Sequence, residues 1–342
     1  MATRHKQPRS GHSGGDTFAL YQNVLHVQKI LKRMIPIPER EAANPGDDSQ
    51  DLTPVDDIAD MVETIRKLLE PKLNSRPVLS ISSLRQEEIA KLHLTEGPDL
   101  ILMANPRRLD EERVIGENQL WSHETFYRHL CLLQSSVTQT GASARAFIDA
   151  FFFRAAAILS SRSSEGKRVV LGLELPVNAT VGREEATLKG FVDYAILFTG
   201  NTRATSFIRD PHLSKIRLHS NSVLFVTEAK AVDVSLYHQL PQALGEMYAC
   251  SAAVELVNFS KKMIRGALTN GRAWLFLILK VLPDGQGGEY SVSNEISIMT
   301  AGVDFALEVN SNSCAQISVI IASWIENSFK DLDSSDWYRA NV

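Results

Sequence analysis

Cysteine is scarce in this chain: Cys131, Cys250 and Cys314 are the only three in 342 residues. Their odd number and wide separation give neither a disulfide framework nor a zinc-ligand spacing, and they fit a reducing compartment. Long apolar runs are missing as well. None approaches the roughly 18 residues of a membrane-spanning helix. The opening "MATRHKQPRSGHSGGD" has basic residues with no apolar stretch behind them, unlike a secretory leader. Excess positive charge is also absent. A net charge of -4 argues against a general nucleic-acid-binding coat, while leaving room for a local basic surface. The histidines show no ligand spacing, and no segment repeats. These absences predict an intracellular protein, cytoplasmic or nuclear, with no membrane partner. They do not fix an oligomeric state.

Hydrophobic residues make up 44% of the chain, enough for a sizeable core. Residues 1–18 read as a disordered basic leader. Residues 19–120 read as a mainly helical region of unknown role. It contains a helical pattern in "FALYQNVLHVQKILKRM" and a second after Thr53-Pro54, where a cap precedes a first-turn proline. Between them, residues 39–60 carry eight acids against Arg40 alone and read as an exposed linker. "HETFYRHLCLLQSSV" predicts a helix. From residue 141 the patterns sharpen: "SARAFIDAFFFRAAAILSSR" predicts an apolar helix whose few charges are Arg145, Asp149 and Arg154. Three strands follow, in "KRVVLGLELPV", "ATLKGFVDYAILFTG" and "NSVLFVTEAK". A helix in "PQALGEMYACSAAVELV" and a fourth strand in "GRAWLFLILKVLP", entered through "TNG", complete the unit. A further strand and a helix close the chain, so the second region is expected to span 121–342 with its core at 141–282.

Two features of those strands call for chemistry. Asp193 lies inside "GFVDYAILF", and strands generally avoid aspartate. "LFVTEAKAVD" ends an apolar run with Glu228 and Lys230, which as i and i+2 share one side of a strand. Charges at buried positions are costly unless paired or bound to an ion. If the two strands are adjacent, two carboxylates and an amine converge at one end of a sheet. Carboxylates with a carbonyl form a hard oxygen site that suits Mg²⁺. A lysine beside them serves an attacking water and the charge that develops on a phosphate. Metal-assisted hydrolysis of a phosphodiester is the chemistry this set predicts.

Asp193, followed at about thirty-five residues by Glu228-Ala229-Lys230 between strands in this order, resembles the PD-(D/E)XK nuclease superfamily. The segments "ARAFIDAFFFRAA", "VDYAI", "EAK", "PQALGEMYA" and "RGALTNGRAWLF" are similar to nuclease-like domains of certain fungal proteins. The resemblance covers residues 141–282. It implies an α/β restriction-endonuclease-like core (helix, three strands, helix, strand, mixed sheet) and a nuclease using Mg²⁺ or Mn²⁺, with DNA the expected substrate. By the same resemblance Asp193 and Glu228 are metal ligands, Ala229 lends its carbonyl, Lys230 serves the water, and Gln242 on the next helix faces the site. The family's glutamate on the first helix is missing here, which leaves Asp149 or Glu174 as the further acid. The alternative is a non-catalytic nucleic-acid- or protein-binding module on the same fold. Two basic stretches flank the expected site. "TGNTRATSFIRDPHLSKIRLHSN" holds Arg203, Arg209, Lys215 and Arg217, and "FSKKMIRGALTNGR" holds Lys261, Lys262, Arg265 and Arg272. Both are candidate phosphate contacts.

Overall fold

A computed structural model describes residues 20, 23–25, 27, 58, 61–68, 77–138, 140–163, 166–181, 186–213, 235–253, 263–283, 286–302, 307–328 and 330–341, with the backbone alone for 223–228. The expected basic leader and the acidic stretch up to residue 57 lie outside these, as do Lys215, Arg217, Ala229, Lys230, Lys261 and Lys262.

In chain order the elements begin with β1 (Val78–Ser80), α1 (Gln86–Lys91), β2 (Leu94–Glu96), β3 (Leu100–Leu102), α2 (Pro106–Arg113), α3 (His123–Ser136) and α4 (Gly141–Arg162). They continue with β4 (Lys167–Val181), β5 (Ala186–Gly200), α5 (Asn201–Arg209), β6 (Val223–Glu228), α6 (Leu240–Ala253), β7 (Met263–Thr269) and β8 (Ala273–Val281). β9 (Gly288–Val292), β10 (Ile296–Ser297), β11 (Met299–Ala301), β12 (Leu307–Val309), α7 (Ser311–Glu326) and β13 (Tyr338–Ala340) complete the chain. Nine strands form one mixed sheet in the order β1-β5-β6-β7-β8-β9-β2, with β4 on β5 and β10 on β8. The fold is therefore mixed α/β. The region expected as mainly helical supplies β1 and β2 to this same sheet from residue 78 onward.

The middle of the sheet is buried on both faces, which is why its strands read as continuous apolar runs. Every residue of β7 is buried, as are the first seven of β8. One face packs Leu188, Val192, Leu197 and Leu268 against Ala243, Leu244 and Met247 of α6. The other packs Tyr194, Ile196, Ala267 and Phe276 against α4 and α7, through Phe147, Phe151, Ile320 and Trp324. α4 starts at a Thr140 cap whose side chain accepts from Ser143 N at 3.3 Å, and its long apolar run lets it bury deeply.

Two sequence expectations are corrected. "MIRGALT", taken as part of a basic stretch, is a strand that runs parallel to β6 and forms a hairpin with β8. Arg265 and Arg272 are buried and not available as phosphate contacts. Arg265 pairs with Asp336, and the Arg272 guanidinium lies 4.4 Å from the Phe147 ring centre. The basic stretch that follows β5 begins with α5.

Candidate active site

β5 is where the site is assembled. Its whole length pairs with β4 on one edge. On its other edge, residues 187–189 pair with β1 in parallel and residues 194–197 pair with β6 antiparallel. β1 and β6 therefore run toward each other, and their C-terminal ends meet beside Gly190–Asp193. From Lys189 to Tyr194 that edge is roughly 16 Å long at about 3.3 Å per residue, and Thr227 and Glu228 extend into it. Open α/β sheets favour ligands at such carboxyl ends.

The ladder also breaks at this point. β4 and β5 pair at Leu173↔Tyr194 and at Leu175↔Val192, while the intervening Glu174 and Asp193 are skipped. Glu174 has φ +49°, in the left-handed region that non-glycine residues avoid. Alternation should keep Val192 and Tyr194 on one face. Instead Val192 packs on the α6 face and Tyr194 on the α4 face. β4 reverses in step, with Leu171 toward α4 and Leu175 toward α6. Asp193 thus occupies the residue at which both strands change phase, and it is half-buried.

α4 lies over this break. Phe152 of α4 meets the Tyr194 ring edge-on at 5.1 Å. Asp149 takes a hydrogen bond from Tyr194, and burial raises its pKa above the ordinary aspartate value, against the lowering effects of Tyr194 and Arg145. Its Oδ1 is buried and meets no hydrogen-bond partner among the described residues. One turn earlier, Arg145 Nη1 donates to Glu174 Oε1 at 2.7 Å. Position 228 stands in register with Thr269 of β7, whose following turn packs under α4 at Ala144 and Phe147. So α4 spans the line from Glu174 through Asp193 to the end of β6.

From the other face, α6 presents Gln242, whose Nε2 donates to Glu246 Oε1 at 3.1 Å. Glu246 is only 1% exposed. α6 reaches the gap through the 3-10 turn Ile81–Ser83. A Cβ on Gly245 would stand 2.1 Å from Leu84 Cδ1, and one on Gly190 would stand 3.0 Å from Ile81 Cβ.

Of the expected site residues, Asp149, Glu174 and Asp193 share one neighbourhood beside the backbone of Glu228. Gln242 lies on α6, which packs on the opposite face of the sheet, and its described contact is with Glu246. Arg203 and Arg209 are exposed on α5, which starts about 23 Å along β5 from Asp193 at strand rise. Among the described residues, no group of three or more His, Cys, Asp or Glu side chains is gathered to hold a metal. The Glu228 side chain lies outside that set. Arg145 was visible in the sequence only as one charge on an apolar helix. It stands one helical turn from Asp149. No protein-family model matches the chain, and no curated protein matches it.

Proposed function

We propose that this protein is a metal-dependent nuclease that hydrolyses phosphodiester bonds, with DNA as the favoured substrate. The observation that carries the reading is the β5–β6 pairing. It puts Asp193 beside the end of the strand bearing Glu228, under the helix that carries Asp149, whose Oδ1 is buried and has no hydrogen-bond partner among the described residues. A buried carboxylate oxygen with no described donor is costly as an ion unless it is paired or coordinates a metal. Asp149, Asp193 and Glu228, with the Ala229 carbonyl, are the donors for Mg²⁺ or Mn²⁺, all hard oxygens. Asp149 is the better choice for the further acid, because Glu174 already faces a cation in Arg145. A bound divalent ion supplies Lewis-acid stabilisation of the phosphate and an acidified water. Lys230 would orient an attacking water and offset charge in the transition state, and Gln242 would offer a further polar contact. The sheet edge and exposed α5, with Arg203 and Arg209, give a path for the nucleic-acid backbone.

With Mg²⁺ or Mn²⁺ the purified protein is expected to nick plasmid or shorten linear DNA, and EDTA to stop it. Lys230→Ala should lower the rate on the order of a hundredfold or more while DNA binding holds, because the lysine acts in the transition state. Asp193→Asn should abolish cleavage by loss of the ion. Unchanged activity in both variants would move the active site elsewhere. DNA binding without cleavage under any divalent ion would favour the non-catalytic module.

A further inference from the structure

Glu174 is the one expected acid whose position is unusual for a metal ligand. It sits in a strained backbone conformation at the point where the β4–β5 ladder opens, and its carboxylate is taken by Arg145 at 2.7 Å. The pair is open to solvent, with side chains 44% and 59% exposed for Arg145 and Glu174. Exposed pairs of this kind are weak and exchange readily. Arg145 is also one helical turn from Asp149 and acts on it electrostatically. A half-exposed guanidinium therefore stands at the rim of the gap that Asp193 and the end of β6 define. It is held there by a carboxylate, and a guanidinium binds carboxylate and phosphate oxygens through the same fork of donors.

We infer that Arg145 binds the non-bridging oxygens of a nucleic-acid phosphate at this site, and that Glu174 holds Arg145 in place until the phosphate displaces it. This rests on the nuclease reading for the identity of the site but not on catalysis itself. The strain at Glu174 has a use in this scheme. The left-handed residue stands out of the ladder, and its carboxylate meets Arg145 of α4.

The test uses the full chain and a short labelled DNA duplex, with binding followed by fluorescence anisotropy across a salt series in Ca²⁺ and in EDTA. Arg145→Ala should weaken binding on the order of tenfold, the loss of one charge-assisted contact. It should also reduce the slope of log K against log salt by about one, with Arg145→Lys recovering part of the affinity. Glu174→Gln should do the opposite and tighten binding by about two- to fivefold, the worth of an exposed ion pair no longer competing. Melting curves check that all three variants are folded, as their exposure leads us to expect. Equal affinity and equal salt slope in Arg145→Ala and the wild type would overturn the inference. So would weaker binding by Glu174→Gln, which would make Glu174 a ligand. A wild type that binds DNA but never cleaves it removes the nuclease reading, and the opposite signs of the two variants still decide this one.

Discussion

Asp149 shows how one side chain links stability to chemistry. Burial raises its pKa above the ordinary aspartate value, so the folded state favours the neutral acid more than the unfolded chain does. A group raised in this way favours the folded state fully below its unfolded pKa and loses that contribution as pH rises through the folded value. In metal-free buffer the wild type is therefore expected to lose stability from this group above about pH 4. Asp149→Asn, with no proton to release, should melt higher than the wild type at pH 7 and converge with it at acid pH. A divalent ion should reverse the order. A ligand that binds only the folded state adds about 2.7 kcal/mol at a hundredfold excess over Kd. Adding Mg²⁺ should raise the melting temperature of the wild type and leave that of Asp149→Asn nearly unchanged. A variant that melts lower in EDTA would mean that the carboxylate is satisfied as it stands.

Among the elements, the hairpin between β7 and β8 sets how closely α4 can approach the sheet. Asn270 Oδ1 accepts from the backbone N–H of Arg272 and Ala273 at 3.0 and 2.8 Å, which closes the turn. Gly271 then takes φ +81°, and a Cβ there would stand 2.7 Å from the Ala144 carbonyl oxygen and 2.8 Å from Phe147 Cβ. Both the left-handed conformation and the contact with α4 require glycine. Gly271→Ala is expected to destabilise the protein by about 2–3 kcal/mol, combining backbone strain with overpacking. Urea unfolding would measure this as a lower midpoint at unchanged slope. Because the displaced helix carries Arg145 and Asp149, the variant should lose activity even where it remains folded.

Across the whole molecule, the last residues are tied back to the first strands. β13 pairs antiparallel with β3, and the Arg108 guanidinium lies 4.1 Å from the Trp337 ring centre. The anchor is the bidentate pair of Arg265 with Asp336, both buried. Asp336 also accepts from Asp333 N at 3.0 Å, and Arg265 Nη2 donates to the Lys330 carbonyl at 3.1 Å. Removing one member leaves a buried charge unpaired, so Asp336→Ala should cost about 3–5 kcal/mol. The double variant Arg265→Met, Asp336→Leu should cost much less. Hydrogen exchange in Asp336→Ala should rise at Leu100–Leu102 and Tyr338–Ala340 together. A rise confined to one of the two strands would show that the pair does not join them.

Periodicity and composition are local properties, so α4, β4, β5, β6 and α6 were legible along the sequence. It also singled out Asp193 and Glu228, since charges on apolar strands stand out wherever those strands lie. It did not reveal β7, whose Arg265 looks solvent-bound until Asp336, 71 residues later, folds over it. Nor did it show that Val78–Ser80 would abut the end of β6, because sheet partners are set by pairing between distant segments. The reversal of phase at Glu174 and Asp193 belongs to the same class. No glycine marks the left-handed residue, and only two opposing core faces, packed by α4 and α6, hold both strands to the change. The candidate groups are set by local composition, whereas their neighbours depend on pairing and packing between segments far apart in the chain.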